Sequence, residues 1–416
     1  MMIPRWAEKE LQAQLACHRI VSVVGPRQSG KTTLVRHAEI GRAEYRNLDR
    51  KAEFQAAKES PAFFLTHHHA DRLVIDEVQK APELIGEMKY IVDNNPAPGQ
   101  YIITGSADYR KLPHANESLA GRAGFVRMRT LTVAETKGRL PTFLERMFNR
   151  ELPYSCDRED CNKILILNHA LQGGFPELLS GHDADMRYRW FHDYIENQVI
   201  LDLRDQWAFR KADLLRDLFP YIAAYSSKLN NVRGVSNQMA TSWKTLSTYF
   251  NALEAMYIVD MLPAWSHKDY DRAGKVPKMF MTDSGLMAYL LGISTVDQLT
   301  EMTSDAADQT GKLVETWVYN QLVSEMDLRP RWNMTHFRYR NNREIDFLIQ
   351  NEKGGYLGVE VKAAETLDAK DFSHLKWFSE QPAIKDFIGI VLYAGNMVTS
   401  PAKGLYGIPM ASMWQA

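Results

Sequence analysis

The sequence feature that most constrains the fold is a glycine-rich loop between a short apolar run and a helical segment. Residues 20–24 are apolar and lead into Gly25-Pro26-Arg27-Gln28-Ser29-Gly30-Lys31-Thr32. Strand, loop and helix in this order predict a P-loop, in which backbone N–H groups and the positive end of the helix bind phosphates. Lys31 is expected to reach the β- and γ-phosphates of ATP, and Thr32 to bind Mg²⁺. The alternative is a glycine turn that binds nothing. The residues predicted to bind the nucleotide are Gly25, Gln28, Ser29, Gly30, Lys31, Thr32 and Thr33.

A second apolar run ends in two acids. Residues 72–78 read Arg-Leu-Val-Ile-Asp-Glu-Val, which predicts a buried parallel strand with its carboxylates at the C-terminal end, where ligands of such sheets bind. Asp76 is expected to hold Mg²⁺ through water, and Glu77 to orient or deprotonate the attacking water. The alternative is an ordinary strand that runs into an acidic turn. The preceding P-loop favours the catalytic interpretation, because both halves of one ATP site are then present.

Other positions are candidates for contact with the γ-phosphate. A strand at residues 100–106 is expected to lie between two earlier strands, so that Thr104 or Ser106 senses this phosphate. Both hydroxyls could equally be turn formers, which are common at strand ends. Arg122 is a candidate arginine finger, acting in its own chain or from a neighbouring subunit. The alternative for Arg122 is an ordinary solvated side chain.

Composition narrows the class of protein more than it identifies a partner. The chain has 416 residues, which suggests two to three domains, and 50 basic residues balance 51 acidic ones. A nucleic-acid surface would therefore have to be a local patch. Cys17, Cys156 and Cys161 lack the spacing of a zinc site or disulfide framework, so ordinary thiols in a reducing compartment are expected. No run of apolar residues is long enough to cross a bilayer, so we expect a cytoplasmic protein without a membrane partner.

The middle of the chain has the helical spacing of a winged helix-turn-helix. Apolar residues recur at helical intervals from residue 212 and again from residue 246, and residues 258–262 and 276–281 have the pattern of a hairpin. On the last predicted helix, polar side chains share one face and could contact DNA: Lys244, Ser247, Thr248 and Asn251. The alternative is a spacer or a protein-docking segment.

Carboxylates and a lysine in the last third have the order of a metal-dependent phosphodiesterase site. Residues 343–349 and 356–362 predict two strands joined by a turn at Gly354-Gly355, which brings Asp346 and Glu360 onto adjacent strands. Glu360 and Lys362 then face the same side. Asp346 and Glu360 are expected to bind Mg²⁺, Lys362 to position the water, and Glu315 to complete the metal shell. The alternative for the acids is a role in DNA binding or in holding the structure together.

A run of arginines precedes this predicted metal site and supplies a local basic patch. The alternative is a solvated face. The arginines are Arg329, Arg331, Arg338, Arg340 and Arg343.

The motifs GPRQSGKTTL, LVIDEVQ, IITGS and SLAGR, in this order, resemble the N-terminal half of a prokaryotic family of AAA-type ATPases. Members of that family carry a C-terminal domain that is related to PD-(D/E)XK nucleases. Later motifs around Gly173-Gly174, Asp283 and Gly311 are similar to those of the same family, so the resemblance covers nearly the whole chain. The resemblance implies an ATPase fold of the AAA superfamily.

These patterns predict an α/β protein with four parts. They are a P-loop AAA-type ATPase domain with a parallel sheet (1–140), a helical lid or linker (141–210), a winged-helix-like domain (211–290) and a restriction-endonuclease-like α/β domain (291–416). The leading functional hypothesis is an ATPase that is coupled to metal-dependent cleavage of DNA. This ATPase could act as a homo-oligomer. One rival is an ATP-driven switch that binds DNA or protein without cleavage. Another is a protein that binds nucleotide only for structure.

Overall fold

A computed structural model describes residues 3–39, 41–108, 119–153, 155–157, 159, 161–207, 209, 212–239, 241–266, 276–339 and 343–415. The chain divides into two compact units. The first unit is Met1–Thr130, Glu196–Arg210 and Thr248–Ile258, and the second is Leu131–Ile195, Lys211–Ser247 and Val259–Ala416. The four boundaries expected from the sequence stay predictions.

The helices in chain order are α1 (Ala7–Cys17), α2 (Lys31–Ala38), α3 (Lys51–Glu59), α4 (Pro61–Thr66), α5 (Glu83–Asn94), α6 (Val133–Thr136), α7 (Phe143–Phe148), α8 (Lys163–Gln172), α9 (Ala184–Tyr194), α10 (Ile200–Trp207), α11 (Ala212–Ala224), α12 (Val232–Gln238), α13 (Trp243–Ala255), α14 (Ser284–Leu290), α15 (Val296–Thr300), α16 (Ser304–Met326) and α17 (Ser373–Ser379). Among the helices of the described residues, none combines the length and apolar character needed to cross a membrane.

The strands in chain order are β1 (Ile20–Val24), β2 (Ala43–Asn47), β3 (Arg72–Asp76), β4 (Tyr101–Gly105), β5 (Ala123–Arg127), β6 (Lys228–Leu229), β7 (Val259–Leu262), β8 (Lys278–Met281), β9 (Asn333–Tyr339), β10 (Arg343–Gln350), β11 (Tyr356–Lys362), β12 (Phe387–Tyr393), β13 (Thr399–Ala402) and β14 (Leu405–Pro409).

The first unit is built on a parallel sheet in the order β2-β3-β4-β1-β5. Alternate side chains of β1 face opposite layers: Val21 and Val23 pack with residues of α1 and α2, and Ile20 packs with residues of α4 and α5. Both faces are therefore covered, as parallel sheets require. The predicted parallel sheet is confirmed, and β4 lies between β1 and β3.

The second unit contains two sheets. One has the order β6-β8-β7, and its antiparallel pair of β7 and β8 confirms the predicted hairpin. The other has the order β13-β14-β12-β11-β10-β9. Its antiparallel pair of β10 and β11 confirms that the strands bearing Asp346 and Glu360 are neighbours. Strands β13 and β14 were not predicted, because their residues include turn formers and lack a clean alternation.

The helix that bears Glu315 begins at Ser304, where the Thr303 side chain accepts a hydrogen bond from the backbone N–H of Ala306 and caps the helix. The structure also corrects one local expectation. Cys156 and Cys161 form a disulfide instead of remaining thiols. Their Cα atoms lie 6.1 Å apart, within the range that a bridge can span.

Two glycines of the second unit differ in the space around them, so substitution by alanine should change stability in opposite directions. A side chain at Gly174 would overlap the carbonyl of Leu131, whereas one at Gly311 would meet nothing within 4 Å and would favour the helix. Gly174→Ala should lower the free energy of unfolding by about 1–3 kcal/mol. Gly311→Ala should raise it by up to about 1 kcal/mol. Chemical denaturation followed by circular dichroism checks both, and equal effects of the two variants would contradict the prediction.

Candidate functional site

The P-loop of the first unit is held in shape by backbone and side-chain contacts. Any side chain at Gly25 would overlap the carbonyl of Met128, so only glycine fits there. Gly30 adopts a left-handed conformation where the loop enters α2. The Arg5 guanidinium donates to the backbone carbonyl of Ser29 at 2.7 Å. Contacts within the chain therefore hold the shape of the loop.

Lys31 lies at the centre of this loop and is 6% exposed. Its ammonium donates to the carbonyls of Gly25 at 3.0 Å and Pro26 at 2.8 Å. Burial lowers the pKa of Lys31 to about 8, while Glu77 and Asp76 oppose the shift. The lysine thus shares its charge with the carbonyls of the loop that bears it.

Asp76 lies at the end of β3 and is almost fully buried. One of its carboxylate oxygens accepts a hydrogen bond from the Thr32 hydroxyl at 3.0 Å and another from the Tyr45 hydroxyl, and its other oxygen accepts from Thr104. Neutral hydroxyls orient the carboxylate without cancelling its charge. Burial and the adjacent Asp76 raise the pKa of Tyr45 well above its usual value, so its hydroxyl remains a donor at neutral pH.

Glu77 has a left-handed backbone conformation, which is uncommon for a glutamate. Its carboxylate accepts hydrogen bonds from Gln79 and, at 3.4 Å, from Ser106. Its backbone N–H donates to the Thr104 hydroxyl at 3.4 Å. The residue is held by neighbours at the carboxyl end of the sheet, beside Asp76.

Most of the predicted nucleotide residues come together at this edge of the sheet. Within the described residues, the buried hydroxyl of Ser29 has no hydrogen-bond partner, so it is free to donate to a phosphate. Gln28 and Thr33 are exposed on the loop and on α2. The Thr32 hydroxyl and the Asp76 carboxylate converge, which is the hard-oxygen chemistry that Mg²⁺ prefers. The side chains fit an ATP and Mg²⁺ site.

Arg122 does not join this site. It precedes β5, next to the start of β1, whereas the P-loop follows the end of β1. The length of the strand separates them by roughly 16 Å, and the guanidinium pairs with Asp93 at 2.6 and 2.8 Å. Contact with ATP of the same chain is therefore excluded. Action on a neighbouring subunit stays a prediction.

Several contacts at the site were not predicted from the sequence. Arg27 of the P-loop makes a bidentate ion pair with Asp202 of α10, with one bond of 2.8 Å. Tyr45 donates a hydrogen bond to Asp76, and Gln79 donates one to Glu77. Arg27 and Gln79 belong to quoted motifs, but nothing in sequence spacing links them to these partners.

The carboxylates of the second unit surround a lysine instead of forming a metal site. The Lys278 ammonium lies 3.0 Å from Glu315, 2.8 Å from Glu344 and 3.2 Å from Asp346. Within the described residues, no group of three or more His, Cys, Asp or Glu side chains could hold a metal ion. The predicted shell of Glu315, Asp346 and Glu360 is therefore not assembled, because the ammonium of Lys278 binds one oxygen of Glu315 and one of Asp346.

The negative charge of this cluster is balanced by the ammonium of Lys278 and by protons on the carboxylates. Burial opposes the charge of Lys278, but the carboxylates outweigh it and raise the pKa of the lysine well above its usual value. Burial and the nearby Asp346 raise the pKa of Glu315 to about 8 and that of Glu360 to about 7. Lys278 thus keeps its proton. Protonation of Glu315 and Glu360 reduces the negative charge that Lys278 does not balance. Lys362 is close enough to Glu360 to oppose the shift of its pKa.

Comparison with known proteins agrees with the geometry of the first unit. Residues 17–137 match the family model described as AAA domain. This match supports an AAA-type domain. Residues 164–297 and 310–413 match two families described as domains of unknown function, DUF8612 and DUF4143. The nuclease relationship expected for the C-terminal part stays a prediction.

Relatives and solved structures were also found. Uncharacterized proteins of Mycobacterium tuberculosis and Mycobacterium bovis are each 26% identical over 356 residues, which cover 84% of this chain and 72% of the relative. A Walker-type ATPase of Pyrococcus abyssi is 14% identical, covers 70% of this chain and 96% of its own, and overlays with a TM-score of 0.39. AMPPCP-bound DnaA from Aquifex aeolicus is 16% identical, with coverages of 59% and 75% and a TM-score of 0.29.

The buried lysine of the AAA-type domain predicts a pH-dependent uptake of protons. Free Lys31, with a pKa of about 8, is partly neutral at pH 8.5, and bound phosphates would favour its charged form. ATP binding should therefore take up about 0.7 proton at pH 8.5 and almost none at pH 7.0, and affinity should fall as pH rises above about 8. Calorimetry in buffers of different ionisation enthalpy measures this uptake. A binding heat at pH 8.5 that does not depend on the buffer would contradict the prediction.

Proposed function

We propose that the chain binds and hydrolyses ATP with Mg²⁺. In this proposal the bound nucleotide switches the conformation or assembly of the chain itself, which contacts DNA without cutting it. One observation carries the ATPase part: Thr32 donates a hydrogen bond to Asp76, and Lys31 is close enough to Asp76 and Glu77 for both acids to raise its pKa against the effect of burial. Both halves of a phosphoryl-transfer site are present there.

The side chains have distinct roles in the proposed reaction. Thr32 and Asp76 would hold Mg²⁺, which neutralises phosphate charge when bound. Lys31 exchanges its two carbonyl partners for phosphate oxygens, which are stronger acceptors. Glu77 orients the attacking water and accepts its proton, while Gln79 and Ser106 hold the glutamate in place. Thr104 connects Glu77 with Asp76 and so links the water to the metal side of the site.

Removal of the general base should separate binding from hydrolysis. Glu77→Gln keeps the shape of the side chain but removes its ability to accept a proton. ATP hydrolysis should fall by on the order of 10²-fold or more, while ATP affinity should stay within about threefold. Phosphate release and calorimetry measure the two quantities.

The matched control is Glu83→Gln, because Glu83 is an exposed glutamate at the start of α5. It should leave both quantities unchanged. Binding without turnover by the wild type, even with DNA added, would instead support a structural nucleotide.

The ion pair between Arg27 and Asp202 supports the switch. ATP phosphates and Asp202 are both anionic partners for the P-loop arginine, so they compete for it. The α10 segment packs in the first unit, but the chain on both sides of it, Leu131–Ile195 and Lys211–Ser247, belongs to the second. Release of Asp202 would thus free a segment that is covalently joined to the second unit at both ends.

The order of elements supports two further assignments in the second half of the chain. We assign a winged helix to α11, β6, α12, α13, β7 and β8, with Lys244, Thr248 and Asn251 exposed on α13 and Ser247 half-buried. We also assign a nuclease-like fold to α16, β9, β10, β11, α17 and β12, because these elements follow the αβββαβ order expected for it.

A partly exposed cluster of aromatic and basic side chains supports contact with DNA. The Tyr339 ring stacks on Trp377 with centroids 5.5 Å apart, and the Arg343 guanidinium lies 5.6 Å from the Trp377 ring. We call these three residues the aromatic–basic patch. Arg338 is exposed but pairs with Glu344 in the register of β9 and β10, so the alternation of side chains places it on the other face of the sheet. Stacked rings and guanidinium groups bind bases and phosphates with little sequence preference.

The patch contains only part of the arginine cluster suggested by the sequence. Arg329 is mostly buried and pairs with Glu325 at 3.0 Å, and Arg331 pairs with Glu352 at 3.4 Å. Arg340 lies outside the described residues.

Metal-dependent cleavage of DNA is the rival function. The neighbouring strands of Asp346 and Glu360 and the proximity of Lys362 favour it. The ammonium of Lys278 between the carboxylates weighs against it, because a metal ion needs the same oxygens. We therefore favour binding without cleavage.

Plasmid assays distinguish binding from cleavage. With Mg²⁺ or Mn²⁺, the wild type should shift plasmid mobility but nick it no more than Asp346→Ala and Lys362→Ala do. Arg343→Ala should weaken binding and reduce the dependence of log K on log salt by about 1. The matched control is Arg331→Ala, because this exposed arginine lies outside the patch. Nicking by the wild type that Asp346→Ala abolishes would establish the rival.

Assembly would complete the ATP site if Arg122 acts across a subunit boundary. Its pairing with Asp93 keeps the guanidinium at the surface, with 26% of the side chain exposed. We propose a homo-oligomer in which this arginine reaches the γ-phosphate of a neighbour.

A further inference from the structure

Lys278 has an unusual environment for a lysine. It opens β8 of the sheet β6-β8-β7, and its side chain is only 3% exposed. Its partners come from α16 and β10, which carry Glu315, Glu344 and Asp346. A buried ammonium without partners would be costly, so these carboxylates are what allow the lysine to be buried.

The contacts use the full donor capacity of the lysine. An ammonium has three N–H donors and no acceptor, and the three carboxylates lie 2.8–3.2 Å from its nitrogen. The other oxygen of Asp346 accepts the backbone N–H of Val361 at 3.0 Å. Both oxygens of the most central predicted metal ligand therefore have donors.

The local backbone contributes to this arrangement. The pairing of β10 with β9 shifts between Ile345 and Leu348, so the strand is irregular at Asp346. Such bulges change the direction in which a side chain points. Here the irregularity coincides with the carboxylate that meets Lys278.

We infer that Lys278 is the resident cation of this carboxylate cluster and that it occupies the place a divalent metal would need. The inference rests on the proposed nuclease-like fold and explains why that fold binds without cutting. A lysine from one sheet replaces the metal and joins that sheet to the nuclease-like one. The site is a cation site satisfied from within the chain.

Binding of Mn²⁺ to the full chain without nucleotide tests this inference. Electron paramagnetic resonance counts the bound ion. The wild type and Asp346→Asn should bind equally little Mn²⁺. Lys278→Met should gain one site at least tenfold tighter than any in the wild type, and its lowered midpoint of thermal unfolding should rise with Mn²⁺. Lys278→Met/Asp346→Asn should lose the gained site.

Two results would overturn the inference. One is a stoichiometric Mn²⁺ in the wild type that Asp346→Asn abolishes. The other is a folded Lys278→Met that gains no Mn²⁺. If Lys278→Met does not fold, the comparison of the wild type with Asp346→Asn decides alone. ATP affinity measured in the same samples reports on the P-loop separately, so failure of the ATPase proposal is distinguishable.

Discussion

The candidate ATP site depends on the hydrogen bonds that converge on Asp76. Thr32 lies at the start of α2, Tyr45 lies on β2, and Thr104 lies on β4, so the carboxylate ties one helix and two strands to β3. A buried carboxylate costs free energy unless it is hydrogen-bonded, and here each donor is a hydroxyl. The donors fix the carboxylate in one orientation but leave its negative charge intact. A charge held in place and not cancelled is what a divalent cation requires.

The two carboxylate clusters solve the same physical problem in opposite ways. In the first unit, neutral hydroxyls satisfy Asp76, and the ammonium of Lys31 donates to backbone carbonyls. In the second unit, the ammonium of Lys278 satisfies Glu315 and Asp346 directly. Charge therefore remains available for a metal in one cluster and is largely neutralised in the other. The difference lies in the donor type, not in the number of acids.

The sequence predicted what depends on local pattern and missed what depends on contacts distant in the chain. The P-loop, the strand ending in Asp76, and the hairpin that joins β10 to β11 follow from spacing and alternation over a few residues. Lys278 meets Asp346 across 68 residues, and Arg27 meets Asp202 across 175. No periodicity encodes such pairs. The place of Arg122 is a related case, because only strand order reveals that it lies at the opposite end of β1 from the P-loop. Its action on a neighbouring subunit stays a prediction.

In the proposed switch, competition for Arg27 would give the AAA-type domain a physical route from nucleotide to conformation. The bidentate pair with Asp202 is strong because both partners are charged and partly shielded from water, with side chains 29% and 11% exposed. A triphosphate carries more charge than one carboxylate, so its arrival in the loop shifts the balance at Arg27 without any contact to α10 itself. Asp202 would then be a buried carboxylate without its cation, which is unfavourable where it lies. The α10 segment would therefore be destabilised in its present position only when nucleotide occupies the P-loop. A nucleotide switch needs this dependence on occupancy.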